Sequence, residues 1–145
     1  MKSTKAHYLW LLALNLLAIP VTLYLTYLHY KPELSDFCNF GEQWNCDIVN
    51  KSIYAELFGI PVSILGLITY ILLLFFSIRG LKNDQSRFVP WVLAAVTGGV
   101  LFTLYLTGIE AMVLRTYCIF CVVQQVILLI QFGIFISLYR LTRKQ

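Results

Sequence analysis

The chain has 145 residues, of which 59% are hydrophobic and only 12% charged, with a formal net charge of +4. Soluble domains carry about 25% charged residues, so this composition excludes an ordinary water-facing surface. Mean hydropathy is +0.77 and the apolar residues come in long runs, which reads as an all-α polytopic membrane protein.

In chain order, four apolar runs predict helices over residues 8–30, 61–79, 88–109 and 117–139. Each has about the 20 residues needed to cross a hydrocarbon core roughly 30 Å thick. A β-barrel would instead show alternating segments of about 10 residues. The first run is too long for a signal-peptide core of about 7–15 residues and no small-x-small cleavage site follows it. Tyr24, Tyr27 and Tyr30 near its end read as an interfacial aromatic belt, and Pro20 as a kink. Residues 31–58 form a long outer loop between the first two helices, and Gly59-Ile60-Pro61 reads as a break followed by a helix start. In the third run, Gly98, Gly99 and Gly108 offer a small face for close packing. Gln124, Gln125 and Gln131 are polar groups within the fourth span, where at least one of the first two should face the bundle interior. The chain reads as one domain, 1–145, forming a four-transmembrane-helix bundle.

Four spans place both termini on one side. Lys2, Lys5, Arg79, Lys82, Arg87, Arg140, Arg143 and Lys144 share that side, which is 8 of the 11 basic residues, leaving Lys31, Lys51 and Arg115 opposite. Short Lys/Arg-rich segments stay cytoplasmic, so both termini are expected in the cytoplasm and the 31–58 loop outside it. The acids Glu33, Asp36, Glu42, Asp47, Glu56 and Glu110 fall on the outer side. The positive charge therefore reports topology and does not point to a nucleic-acid partner.

All four cysteines lie on that outer side, in the oxidising compartment. Cys38 and Cys46 occupy the long loop, while Cys118-Ile-Phe-Cys121 is a C-x-x-C at the start of a helix, where free backbone N–H groups favour a thiolate. Structural zinc would need closer spacing in the first pair, which is separated by seven residues. Two permanent disulfides bracing the loop are the other bland reading. A redox relay accounts for the arrangement more fully: a mobile loop pair exchanges with a soluble partner, and a helix-anchored pair hands electrons to a lipid-soluble acceptor such as a quinone. The stretch 32–50, with Ser35, Asp36, Asn39, Gly41, Asn45 and Asp47, is rich in turn formers and expected to be mobile.

The order Cys38-x7-Cys46, Ser52, Glu56-Leu-Phe-Gly-Ile-Pro-Val-Ser63-Ile-Leu-Gly66 and Cys118-x-x-Cys121 resembles the vitamin K epoxide reductase family in its bacterial, single-domain form. The resemblance covers all four helices. It differs from the disulfide-bond formation protein B family, in which the C-x-x-C lies in the first outer loop. The resemblance implies a membrane thiol–disulfide/quinone oxidoreductase supporting disulfide formation, with ubiquinone, menaquinone or a vitamin K-type quinone as co-substrate and no metal. Cys38 then exchanges with a thioredoxin-like partner, Cys46 passes electrons to Cys118, and Cys121 reduces the quinone. Family members often carry a fused thioredoxin-like domain; here the partner is expected to act in trans, at a bacterial cytoplasmic membrane with the cysteines facing periplasm or exterior. Vertebrate members have tyrosine where this sequence has Gln125, which puts epoxide reduction in doubt.

Ser52, Gln125, Glu56 and Phe58 are the quinone-contact candidates. Ser52 reads equally as a cap of the segment 53–58, and Glu56 as a solvated interfacial acid beside its alternative role in proton handling. His29 reads as an amphipathic boundary residue or as a proton donor. A vitamin K epoxide reductase of the ER and a non-enzymatic scaffold holding structural cysteines or zinc are the alternatives.

Overall fold

The computed structural model describes residues 2–33, 37–83 and 86–143. Ser35, Asp36 and Lys144, used above, lie outside the described residues. Four long helices dominate: α1 (Lys2–Tyr30), α3 (Val62–Lys82), α4 (Val89–Ile109) and α5 (Ile119–Arg143), with a short α2 (Cys46–Asn50) between the first two. All four long helices are long and apolar enough to cross a membrane, and the protein is a four-helix membrane bundle. Leu16, Leu17, Leu72 and Leu101 are more than half exposed, as expected where lipid is the solvent. α1 runs unbroken through Pro20; neighbouring helices and hydroxyl side chains make an interior proline tolerable in such a setting.

α1 packs against α3 and α5, and α4 packs against α5. α3 and α4 are joined by a short turn at Ser86–Phe88 yet are not among the closely packed pairs. The fully buried Leu11, Ala18, Phe135 and Leu138 belong to one core cluster, and Leu25, Leu28, Val49, Cys38, Cys46 and Cys118 form a second at the cysteine end. Of the glycines expected to pack, a Cβ added at Gly99 would lie 3.6 Å from Leu128 Cδ2, whereas one at Gly98 would meet open space.

Between α1 and α3 the chain is more structured than a loop. After α2 come a 3₁₀ turn (Ile53–Ala55) and a two-residue hairpin, β1 (Glu56–Leu57) and β2 (Ile60–Pro61), with Glu56 opposite Pro61 and Leu57 opposite Ile60. Phe58 and Gly59 turn the hairpin with φ of 53° and 78°, the double left-handed geometry of a type I′ turn. Gly59 adopts it freely; Phe58 does so against its Cβ. The hairpin delivers Pro61 to the N-cap of α3, where a missing N–H costs nothing.

Polar side chains inside the bundle pair across helices. Gln131 Nε2 donates to Asn15 Oδ1 at 3.0 Å, both residues being fully buried. Gln124 Nε2 donates to Ala18 O at 2.8 Å. Gln131→Ala leaves Asn15 without its partner, and a thermal-unfolding double-mutant cycle of Asn15→Ala with Gln131→Ala should return a coupling of about 0.5–1.5 kcal/mol. A coupling indistinguishable from zero would show the pair to be idle.

Candidate functional site

The cysteine end of the bundle is built by backbone pairing between distant segments. Asn45 N–H donates to Tyr117 O at 3.0 Å and Tyr117 N–H to Gln43 O at 2.9 Å, so the segment before α2 lies along the segment before α5. Phe40 N–H donates to Trp44 O at 2.9 Å and Cys46 N–H to Cys38 O at 3.4 Å, which folds 38–46 back on itself. Asn45 caps α2 by accepting Ile48 N–H at 3.1 Å, and Asn39 Nδ2 donates to Asp47 Oδ2 at 2.9 Å. Residues 37–50 of the stretch expected to be mobile are thus tied down on both sides of Cys46, and Asn39, Asn45 and Asp47 spend their side chains on local bonds.

The result is a chain of sulfurs. Cys38 and Cys46 are disulfide-bonded, and Cys118 Sγ lies 3.1 Å from Cys46 Sγ. Cys121 N–H donates to Cys118 Sγ at 3.4 Å. Cys38, Cys46 and Cys118 are all buried, and Cys121 is half-buried. The sulfurs of Cys38, Cys46 and Cys118 lie within 4.8 Å of one another. As three thiolates they could ligate a metal; bonded as a disulfide, two of them lack the thiolate charge that zinc binding uses.

Cys121 opens on a cavity of about 290 Å³ lined from α1, α3, α4, α5 and the segment 49–57. Its walls are largely apolar, with Leu25, Val96, Phe102, Leu106 and Leu128 among them, the usual make-up of a small-molecule site. Most hydroxyls on its walls are already used: Thr22, Ser52, Thr69 and Thr103 bond nearby backbone carbonyls at 2.8–3.1 Å. Among the described residues, two buried wall atoms have no partner, Ser63 Oγ and Gln124 Oε1. Thr107 Oγ1 lies 3.0 Å from Thr103 O and 2.8 Å from Gln125 Oε1; when its proton goes to Gln125 Oε1, the Gln125 NH2 is left as a donor among the described residues. A buried polar atom without a partner is costly in an apolar setting, so these atoms suit a ligand that carries both carbonyl and hydroxyl character.

Of the four quinone-contact candidates, the structure brings Ser52 and Gln125 to this cavity and leaves Glu56 and Phe58 off its walls. The extended backbone here alternates: Ala55 and Leu57 line the cavity, which turns the residues between and after them outward. Phe58 is 97% exposed at the hairpin tip. Glu56 Oε1 lies 3.2 Å from His29 Nε2, while His29 Nδ1 donates to Asn50 O at 2.6 Å, so the pair latches the hairpin to the end of α1. Ser52 does not cap the turn after it; its hydroxyl donates back to Val49 O at 2.8 Å.

One wall residue had been read only as a charge on the outer side. Glu110, at the end of α4, is 6% exposed, lines the cavity and accepts Cys118 N–H through Oε2 at 3.4 Å. It starts a π-helical turn, Glu110–Leu114, that is closed by Arg115 in the left-handed conformation (φ 51°). The available signal was its position directly after the apolar run 88–109 and eight residues before Cys118, since an ionisable residue at the membrane boundary of a site is a candidate for function.

The model of the vitamin K epoxide reductase family matches residues 9–136. That range takes in all four helices and all four cysteines.

The sulfur geometry has a direct test. In a Cys38→Ala/Cys121→Ala protein, Cys46 and Cys118 should close into an intramolecular disulfide on mild oxidation, visible as resistance of both to alkylation until reductant is added. Free labelling of both thiols after oxidation would show that the 3.1 Å approach does not hold in the membrane.

Proposed function

We propose that this chain, which belongs to the vitamin K epoxide reductase family and so is a membrane thiol–disulfide oxidoreductase, oxidises a thioredoxin-like partner and passes the electrons to a membrane quinone. The observation that carries the proposal is the sulfur chain, 3.1 Å from Cys46 to Cys118, which ends at Cys121 on an apolar cavity. In this reading a partner thiolate attacks Cys38 and releases Cys46. Resolution by the partner's second thiol leaves Cys38 and Cys46 reduced. Cys46 then attacks Cys118 of an oxidised Cys118–Cys121 pair and frees Cys121, and Cys38 closes on Cys46 to leave Cys118 and Cys121 as thiols. The disulfide between Cys38 and Cys46 with two free thiols at Cys118 and Cys121 corresponds to that last stage. Cys38 is 1% exposed, so partner attack requires the covering segment around it to yield.

The Gln125 NH2 and Ser63 hydroxyl then serve as donors to quinone carbonyls, and Gln124 Oε1 as an acceptor once a hydroquinone has formed. Both α3 and α4 line the cavity without being among the closely packed pairs, which supports entry of a lipid-soluble ring between them from the bilayer. Arg79, Lys82, Arg87, Arg140 and Arg143 gather at the end opposite the cysteines, which supports a cytoplasmic position for that end and for both termini. The cysteines then face the periplasm or exterior of a bacterium, where disulfides of secreted proteins are made.

Purified protein should oxidise a reduced thioredoxin-like substrate only when a quinone is supplied. Cys121→Ala should lower that rate by at least about 1,000-fold, since residues that act as a unit fail as a unit. Cys46→Ala, which leaves Cys38 no disulfide to offer, should leave the partner reduced, whereas a partner whose second cysteine is replaced by alanine should accumulate as a mixed disulfide with Cys38 of the wild-type protein. Undiminished turnover without Cys121, or substrate oxidation with no quinone present, would sink the reading. Vitamin K epoxide offered in place of quinone should turn over poorly, Gln125 standing at the position that the family's vertebrate members fill with tyrosine.

A further inference from the structure

Quinone reduction moves protons as well as electrons, and the cavity wall holds few groups able to carry them. Among the described residues, no lysine, arginine or histidine lines it. The titratable side chains that do are Tyr54, Tyr70, Glu110 and Cys121, with Cys118 directly behind Cys121. The Tyr70 hydroxyl donates, also weakly, to Gln124 O at 3.4 Å. Glu110 is the one carboxyl on the wall, it is 6% exposed, and it reaches from the end of α4 across to the C-x-x-C of α5, where Oε2 accepts Cys118 N–H. Its other oxygen makes no hydrogen bond among the described residues. A carboxyl group taken out of water is expensive unless it has work to do or a strong partner. A single backbone N–H at 3.4 Å is a weak one.

We infer that Glu110 is the proton carrier of the quinone half-reaction: its carboxylate takes the thiol proton of Cys121 and returns it to a quinone oxygen in the same cavity. The inference rests on the quinone reading above. The step balances. Two thiols and one quinone become one disulfide and one hydroquinone; the S–S bond forms between Cys118 and Cys121, two electrons pass to the ring, and both thiol protons end on its two oxygens. Glu110 finishes as it began, so no outside acid or base is consumed. The bond to Cys118 N–H holds the carboxyl against the first turn of α5 and thereby sets its reach to Cys121, one helical turn further on.

Glu110→Gln separates this role from a structural one. The amide oxygen still accepts the Cys118 N–H, so folding and the thermal midpoint should stay close to wild type, as should the rate at which dithiothreitol reduces the Cys38–Cys46 disulfide. Quinone-dependent turnover should fall about 100-fold, the scale of a lost proton-transfer group, with the quinone KM within about twofold of wild type. A readout free of quinone accompanies it: the pH profile of Cys121 alkylation, followed on its peptide, should move in Glu110→Gln relative to wild type. A merely structural carboxyl predicts wild-type turnover in the Gln variant, and that result overturns the inference while leaving the quinone reading standing. If the wild-type protein itself fails to reduce quinone, both fall together. Should the Gln variant not accumulate as folded protein, difference infrared spectroscopy of the wild type carries the test. Because Glu110 returns to its starting state, a carboxyl C=O band should appear and decay while added quinone oxidises the dithiol protein, and its absence from time-resolved spectra overturns the inference.

Discussion

The short backbone ladder between residues 43–45 and Tyr117 is the interaction on which the rest of the site depends. It consists of two hydrogen bonds, Asn45 N–H to Tyr117 O and Tyr117 N–H to Gln43 O, supported by Trp44 packed on the Tyr117 ring at 5.7 Å. Each such bond contributes only about 1 kcal/mol on its own. Their geometric effect is larger, because they fix two segments more than 70 residues apart in sequence to within a peptide's width. Cys46 and Cys118 each follow immediately after a rung, and so their sulfurs meet at 3.1 Å. Without the ladder, the same cysteines would sit on a long connection whose closure is entropically disfavoured.

The polar atoms of the bundle fall into two groups that the membrane treats differently. Gln131 Nε2 with Asn15 Oδ1, and Gln124 Nε2 with Ala18 O, pair across helices and hold α1 to α5, although Gln131 Oε1 is left without a partner among the described residues. Ser63 Oγ and Gln124 Oε1 have no partner although both are buried, and both lie on the wall of one cavity. A bundle selected for stability alone would fill those positions with apolar side chains. Local departures from that rule are expected where a ligand completes the bonding.

Much of this was legible beforehand. Four runs of about 20 apolar residues leave little choice of architecture, and the membrane bundle follows from them. The spacing of Cys118 and Cys121 placed both at a helix start, and Gln125 within a turn of Cys121 put it on the cavity. What was not legible depended on short-range detail. The hairpin 56–61 is two residues per strand, too short for a period to register, and its alternation is what turns Glu56 and Phe58 away while Ala55 and Leu57 face in. The tethering of 38–46 comes from long-range backbone pairing, which leaves no trace in local composition: Asn39, Asn45 and Asp47 read as a flexible tract but serve as partners and a cap. Glu110 was hidden because a charge count treats an acid at a helix end as solvated, and only the fold shows it turned inward.

The spacing of the C-x-x-C explains how one helix can serve two environments. Three residues along an α-helix advance about 4.5 Å and rotate about 300°, leaving the two side chains on one face with an offset of about 60°. Cys118, just ahead of the helix proper, is fully buried beneath the segment that carries Cys46. Cys121, a turn deeper and rotated, reaches the cavity shared by α3 and α4. A wider spacing would move the second sulfur beyond disulfide reach, and adjacent cysteines would point to different sides of the helix. The turn between α4 and α5 keeps this arrangement in register, since Glu110 binds Cys118 N–H and Arg115 takes the left-handed conformation that aims the chain into α5. In the proposed relay, thiol exchange and quinone chemistry are separated by one turn of helix, and the disulfide formed between Cys118 and Cys121 is the connection across it.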